Sequence, residues 1–237
     1  MNIATTRRPM NSKMDLTVNL PNFASGKAVG GTMAKKAEDI VRRGIDITLS
    51  GLGLLVLAPV FAVIAFLIRK HDGGPVIFRQ DRVGKDGKVF SFYKFRSMVK
   101  NADALKAKLA EQNQHGSAGI TFKMKDDPRI TPVGKFIRKY SLDELPQLFN
   151  ILKGDMAIVG PRPAVVKEVE QYDDHARGRL AVRPGLTCYW QIMGRAELNF
   201  DQQVELDLRY IANRSLIEDA RIFLATPKAV LEGKGAY

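Results

Sequence analysis

Residues 51–68 read GLGLLVLAPVFAVIAFLI, 18 positions without a charge. A run of that length lies at the lower edge of what spans a bilayer as a straight helix. The flanks are more informative than the run itself. Lys35, Lys36, Arg42 and Arg43 precede it, and Arg69, Lys70 and His71 follow it. A simple span keeps its Lys and Arg on one side, so positive charge at both ends points to a helix that enters and leaves on the same face, or lies in the interface. Pro59 supplies a bend, because its ring clashes with the Leu55 carbonyl and removes a helical hydrogen bond, at about 3 kcal/mol in an ordinary helix. In lipid the freed carbonyl needs a partner, which Ser50 or a neighbouring helix can provide. A plain kinked span and a buried core helix are the competing readings. The run begins too far along the chain for a secretory signal, so the protein is expected to stay inside the cell.

Three segments are therefore expected: a flexible basic tail over residues 1–34, a reentrant membrane helix over 35–71 kinked near Pro59, and a cytoplasmic domain over 72–237. The tail is rich in Asn, Thr, Ser, Pro and Gly and carries Arg7, Arg8, Lys13 and Lys27 without sustained periodicity. Such cations are attracted to anionic lipid, each by about 1 kcal/mol near the surface. Beyond it, 45% hydrophobic and 8% aromatic residues supply a real core and exclude a wholly disordered or collagen-like chain. Cys188 is the single cysteine, which excludes an internal disulfide and a cysteine-rich zinc module, and the scattered His71, His115 and His175 make a histidine metal site improbable. The formal net charge of +12 raises nucleic-acid binding as a class. Against it, the cations cluster beside an apolar segment and no nucleic-acid motif accompanies them.

The fold class expected is α+β, mainly helical, with a short β-hairpin. HDGGP marks a turn, after which VIFRQ and VFSFYKF flank the polar loop DRVGKDGK as two short strands. Period two places Phe90, Phe92, Lys94 and Arg96 on one face of the second strand, so two cations can converge on one phosphate. Helices are expected over 99–114, over 134–140 and through SLDELPQLFNILKG, where Gly154 is the natural stop. MAIV reads as a buried strand entering the GPRP turn, and AVRPGLTCYWQIMGR as loop and short strand. Two further amphipathic helices are expected near 199–213 and 217–232, the second interrupted at Pro227.

Asp143 and Glu144 stand together after the basic run Lys135, Arg138 and Lys139. A structural reading is available, since Ser141 with Glu144 three residues later matches a capping box and acids in a first helical turn meet the dipole favourably. Pro146 complicates that reading, because proline prefers the first turn, so Asp143 itself is an alternative cap. A functional reading is equally open. Adjacent helical residues project differently, so one carboxylate could attack while the other binds metal or manages a proton. A carboxylate with an ordinary pKa of about 4 is ionised at neutral pH and needs no base to act as a nucleophile. Attack on a diphosphate requires its charge to be met by Mg²⁺ and several Lys or Arg.

The strings FRQDRVGKDGKVFSFYKFRSM, DPRITPVGKFIRKYSLDELPQLFNILKGDMAIVGPRP and RPGLTCYWQIMGR together resemble the bacterial sugar transferase family, the monotopic polyprenyl-phosphate phosphoglycosyl transferases, over residues 40–231. The chain is most similar to the small members that prime exopolysaccharide synthesis, including those moving galactose 1-phosphate. The resemblance implies transfer of a sugar 1-phosphate, galactose or glucose, from a UDP-sugar to undecaprenyl phosphate with release of UMP, at the cytoplasmic face of the bacterial inner membrane. It implies Asp143 as the nucleophile of a phosphosugar intermediate and Glu144 as its partner, with Mg²⁺ bridging the pair and the donor diphosphate. It also implies Lys94, Arg96, Arg138 and Arg162 as phosphate-binding and structural cations, Arg183 as a weaker contact to the nucleotide, and Asp207 as support. The reentrant helix matches the family, although Ala58 precedes Pro59 where many members have Ser. No nucleic-acid partner is implied, and a homo-oligomer stays open. The rival from another class is a non-catalytic membrane adaptor for polysaccharide-assembly enzymes.

Overall fold

The computed structural model describes residues 33–102, 104–105, 127–194 and 198–232. The tail expected over 1–34 and the helix expected over 99–114 fall largely outside them. The apolar segment is not one kinked helix but two, α1 (Met33–Val56) and α2 (Ala58–Asp72), meeting at Leu57 with a bend of 60°. Pro59 therefore sits in the first turn of α2, where its missing N–H removes no helical bond. Ser50 does not reach the Leu55 carbonyl; its hydroxyl donates to the Asp46 carbonyl at 2.5 Å. Among the described residues no single helix is long and apolar enough to cross a membrane, while the bent pair is by length and composition. Leu52, Leu55, Val56, Val63 and Phe66 on this pair are exposed.

Strands β1 (Ile77–Val83) and β2 (Val89–Phe95) form the expected antiparallel hairpin. Three further short strands join the architecture: β3 (Ala157–Val159), the buried strand expected in MAIV, runs parallel to β5 (Gly185–Thr187), and β4 (Ala164–Val165), which periodicity did not reveal, pairs with β1. β5 falls within the loop and short strand expected over AVRPGLTCYWQIMGR, while a two-residue strand such as β4 has no readable period. Between hairpin and β3 lie α3 (Pro132–Lys139), a 3-10 turn over Leu142–Glu144, and α4 (Gln147–Lys153), stopped as expected by Gly154 at φ 90°. The last third carries α5 (Val166–Val169), α6 (Asp174–Arg177), α7 (Tyr189–Met193), α8 (Phe200–Asn213) and α9 (Leu216–Glu232). The interruption expected at Pro227 does not occur, and α9 continues through it. Pro227 is exposed, which leaves the carbonyl one turn earlier open to water.

The central core joins Phe92 of β2, Leu148 and Ile151 of α4, Ile158 and Val159 of β3, Tyr210 and Ile222. A second cluster ties α2 to the domain through Ile64, Ile68, Phe95 and Ile137. Polar bonds lock α1 to the same frame. Arg43 donates to the Ile151 and Leu152 carbonyls at 2.6 and 2.9 Å, satisfying the C-terminal end of α4. Asp46 accepts the Ile158 backbone N–H at 2.9 Å.

Candidate active site

The turn that carries Asp143 and Glu144 is set by its neighbours. Ser141 adopts a left-handed conformation, φ 53°, which swings its side chain away from the helix start, so the capping box does not form. Only backbone closes the turn, with Glu144 N–H donating to the Ser141 carbonyl at 3.2 Å. Pro146 then opens α4. This short 3-10 turn thus offers both acids to a cavity instead of using them as caps. Asn150, fully buried on α4, fixes the turn against the hairpin. Its Oδ1 accepts the Tyr93 N–H at 3.1 Å and its Nδ2 donates to the Ser91 carbonyl at 2.7 Å. Those bonds fix β2 just ahead of Lys94.

Lys94 Nζ lies 2.6 Å from Glu144 Oε1 and 3.6 Å from Asp143 Oδ2. Arg162, from the GPRP turn after β3, donates to the same Glu144 oxygen at 3.1 Å. The two acids consequently differ. Burial would raise Glu144, but Lys94 and Arg162 overcome it and hold the carboxyl at about 2. Burial also raises Asp143; Lys94, Arg138 and Arg162 offset it only in part and the Glu144 charge adds to it, so Asp143 stays above the ordinary carboxylate value. Glu144 is the permanent anion that gathers cations. Asp143 is the more basic oxygen, half released from them.

Both acids line a cavity of about 1090 Å³, whose wall also holds Lys94, Arg96, Arg138, Arg162, Arg79, Arg82 and Lys100. Two carboxylates against seven cations leave a strong positive excess, and Phe223, Pro227 and Val230 of α9 supply an apolar side. Such a site suits a polyanion with an apolar or sugar-bearing part. The expected residues do not all converge. Arg96 lines the wall, but its guanidinium is held by Asp72 at the end of α2 through two hydrogen bonds, one of 2.8 Å, so it fastens α2 to the hairpin. Arg183 is exposed and not on the cavity wall. Asp207 is buried away from the cavity, paired with Arg179 at 2.6 Å and pushed by burial up to about 6. Between it and the site stands the Trp190 ring, with the Arg162 guanidinium 5.8 Å from the ring centroid.

Sequence reasoning missed Arg82 and Asn150. The hairpin register was the available signal for Arg82. Phe78, Gln80 and Arg82 of β1 stand opposite Lys94, Phe92 and Phe90, on the same sheet face.

Among the described residues, no group of three or more His, Cys, Asp or Glu is placed to hold a metal. The donor set still fits Mg²⁺, which typically takes one or two carboxylates and completes its shell with phosphates and water. Asp143 and Glu144 would be those carboxylates, with substrate phosphates as the remaining ligands.

Residues 37–233 match the bacterial sugar transferase family. A galactosyl transferase of Streptococcus agalactiae is 50% identical over 83% of the chain and 43% of its own length. An undecaprenyl-phosphate galactose phosphotransferase of Salmonella typhimurium is 43% identical over 88% of the chain and 44% of its own length. The chain thus spans less than half the length of these two. An exopolysaccharide production protein of Sinorhizobium fredii is 41% identical over 84% of the chain and 88% of its own length. The family match covers most of the sequence, and the chain belongs to the bacterial sugar transferase family.

Proposed function

We propose that the chain transfers a sugar 1-phosphate, galactose or glucose, from a UDP-sugar to undecaprenyl phosphate, releasing UMP, as the first membrane step of exopolysaccharide synthesis. The observation that carries this reading is the acidic pair at the wall of a cavity crowded with cations, in a chain whose relatives bear names of that activity. In the first step an Asp143 carboxylate oxygen attacks the phosphorus that bears the sugar, and the bond to the UMP oxygen breaks. In the second, a phosphate oxygen of the lipid attacks the same phosphorus and Asp143 leaves. The raised pKa of Asp143 makes its ionised form a better nucleophile, while Lys94 and Arg162, gathered by Glu144, meet the charge that builds on the phosphoryl oxygens. A bound Mg²⁺ would supply further charge neutralisation on the diphosphate. Two displacements at one carboxylate predict ping-pong kinetics.

The bent pair α1–α2, with exposed apolar faces and positive flanks, supports a reentrant segment in the cytoplasmic leaflet of the bacterial inner membrane. There the site would meet both a soluble donor and a lipid whose phosphate stays at the interface. The decisive experiment is UMP release by detergent-purified protein supplied with Mg²⁺, undecaprenyl phosphate and a panel of UDP-sugars, beside Asp143→Asn. Release with one sugar, lost in the variant, establishes reaction, donor and nucleophile together. No release with any donor from folded protein would turn the reading to an adaptor role.

A further inference from the structure

Arg82 is a half-buried cation that this fold leaves unbalanced. Its Nη1 donates to the Pro163 carbonyl at 2.9 Å and its Nη2 to Gln80 Oε1 at 2.7 Å, both neutral acceptors. Its Nε is buried and has no hydrogen-bond partner. Among the described residues no carboxylate pairs with it, in contrast to Arg42, Arg96, Arg162 and Arg179, each of which does. Glu168 and Glu144 act on it only at longer range, while burial and the neighbouring Arg162 push it down to about 10. A guanidinium in that position is stabilised by an incoming anion.

Its placement says which anion. Arg82 is on the cavity wall, on the sheet face that carries Lys94. Its Cζ lies 5.1 Å from the Phe92 ring centroid and Lys94 Nζ lies 5.6 Å from the same centroid. Pro163, which fixes it, follows directly on Arg162, which shares Glu144 with Lys94. Three cations therefore line the cavity wall around Glu144, and only two of them, Lys94 and Arg162, pair with it.

Resting on the transfer reading above, we propose that Arg82 binds a phosphoryl oxygen of a substrate at this site, completing with Arg162 and Lys94 a three-cation cradle. The planar fork of an Arg suits the two oxygens of a phosphoryl group, and the Pro163 and Gln80 contacts hold it in place before the substrate arrives. The phosphoryl group belongs either to the donor diphosphate or to the lipid acceptor.

The test compares wild type with Arg82→Met and Arg82→Lys in detergent-purified full-length chain. Thermal melting with inorganic pyrophosphate or UMP measures anion binding without turnover, and steady-state kinetics give KM for each substrate. The expected result is that pyrophosphate and UMP raise the melting temperature of wild type and not of Arg82→Met, with partial recovery in Arg82→Lys. In turnover, a rise of about tenfold or more in one KM is expected, the loss of a charge-assisted phosphate contact. A rise in the UDP-sugar KM assigns the contact to the donor; a rise confined to the undecaprenyl phosphate KM assigns it to the acceptor. Arg82→Met that lowers the melting temperature yet keeps both KM values and the pyrophosphate shift would overturn the proposal, reducing Arg82 to a tie between β1 and the GPRP turn. The two readings fail separately. Wild type that gains stability from pyrophosphate but releases no UMP sinks the transfer reading alone, and wild type that does neither sinks both.

Discussion

Helix α9 joins two charged clusters built on opposite principles. At its N-terminal end Arg42 reaches Asp219 at 2.5 Å, Asp39 at 3.0 Å and Glu38 at 3.0 Å, while Arg214 takes Asp39 at 2.9 Å. Remaining lone pairs are used as well: Asp219 accepts the Tyr210 hydroxyl at 2.6 Å and Glu38 the Leu216 N–H at 2.9 Å. Two cations meet three acids, so neither cation is left without a carboxylate. Two turns further on, α9 forms a wall of the cavity, where two acids face seven cations. Cations paired inside the chain fasten α9 to α1. Charge in excess has to be balanced by a ligand, and that asymmetry separates a joint from a site.

The strongest way to break this contrast is Asp143→Asn. Turnover should fall on the order of 10³-fold or more, since the nucleophile is gone. Stability should move the other way. The folded state raises the Asp143 pKa, so its ionised form opposes folding at neutral pH, and a neutral Asn removes that penalty. The gain should shrink as pH falls through the raised pKa, because Asp143 is then protonated and as neutral as Asn. Melting curves of both proteins at pH 7 and near pH 5 check the sign; a variant less stable at pH 7 would contradict it.

The joint should respond in reverse. Arg42→Met leaves the half-buried Asp219 without its cation, at up to roughly 3–5 kcal/mol, the range for one partner removed from a buried pair. Denaturant titration should register that loss, while KM for both substrates in the remaining folded protein stays unchanged. A shifted KM with intact stability would mean that α1 reaches the site directly.

Glu144→Gln sharpens the distinction within the site. Glu144, held at about 2, contributes stability that is present above its ordinary value and lost as pH falls towards about 2, so the variant should be less stable at neutral pH. Lys94 and Arg162 lose their common anchor, and turnover should drop on the order of 10–10²-fold. Without the neighbouring charge, and with Lys94 free to turn to Asp143, the Asp143 pKa falls. The acid limb of the kcat profile should therefore move to lower pH, measurable between pH 4 and 7 against wild type.

How far the sequence anticipates this structure depends on the range of the interaction that decides each element. The hairpin, the Gly154 stop and the break beside Pro59 follow from local patterns, and all are present. The capping box failed although its motif is intact, because Ser141 takes a left-handed conformation between α3 and the 3-10 turn. Lys94 and Arg96 share the strand period that made both candidates, yet one turns to Glu144 and the other to Asp72, a choice made by elements 50 and 24 positions away. Asn150 looked like an ordinary helical position, and its bonds to Ser91 and Tyr93 exist only once α4 packs on β2. The acidic pair was legible as a candidate. Its unequal pKa values were not, since they follow from two cations converging on one oxygen of Glu144.

Arg183 offers the smallest expected effect and the finest test of that lesson. The resemblance marks VRPG, but the exposed side chain is off the cavity, while the backbone there is tightly packed. A Cβ on Gly160 would lie 2.5 Å from the Arg183 carbonyl oxygen, and one on Gly185 would lie 2.1 Å from the Gly160 nitrogen. The segment crosses the end of β3 at a distance only glycine allows, which fixes the entry into the GPRP turn and hence Arg162. Arg183→Ala should leave the donor KM within about twofold, as surface substitutions usually do. Gly160→Ala should cost about 1–3 kcal/mol from overpacking and lower kcat through a displaced Arg162. If Arg183→Ala alone raised the donor KM strongly, the side chain and not the backbone would carry the motif, and Arg183 would have to reach the cavity once substrate is bound.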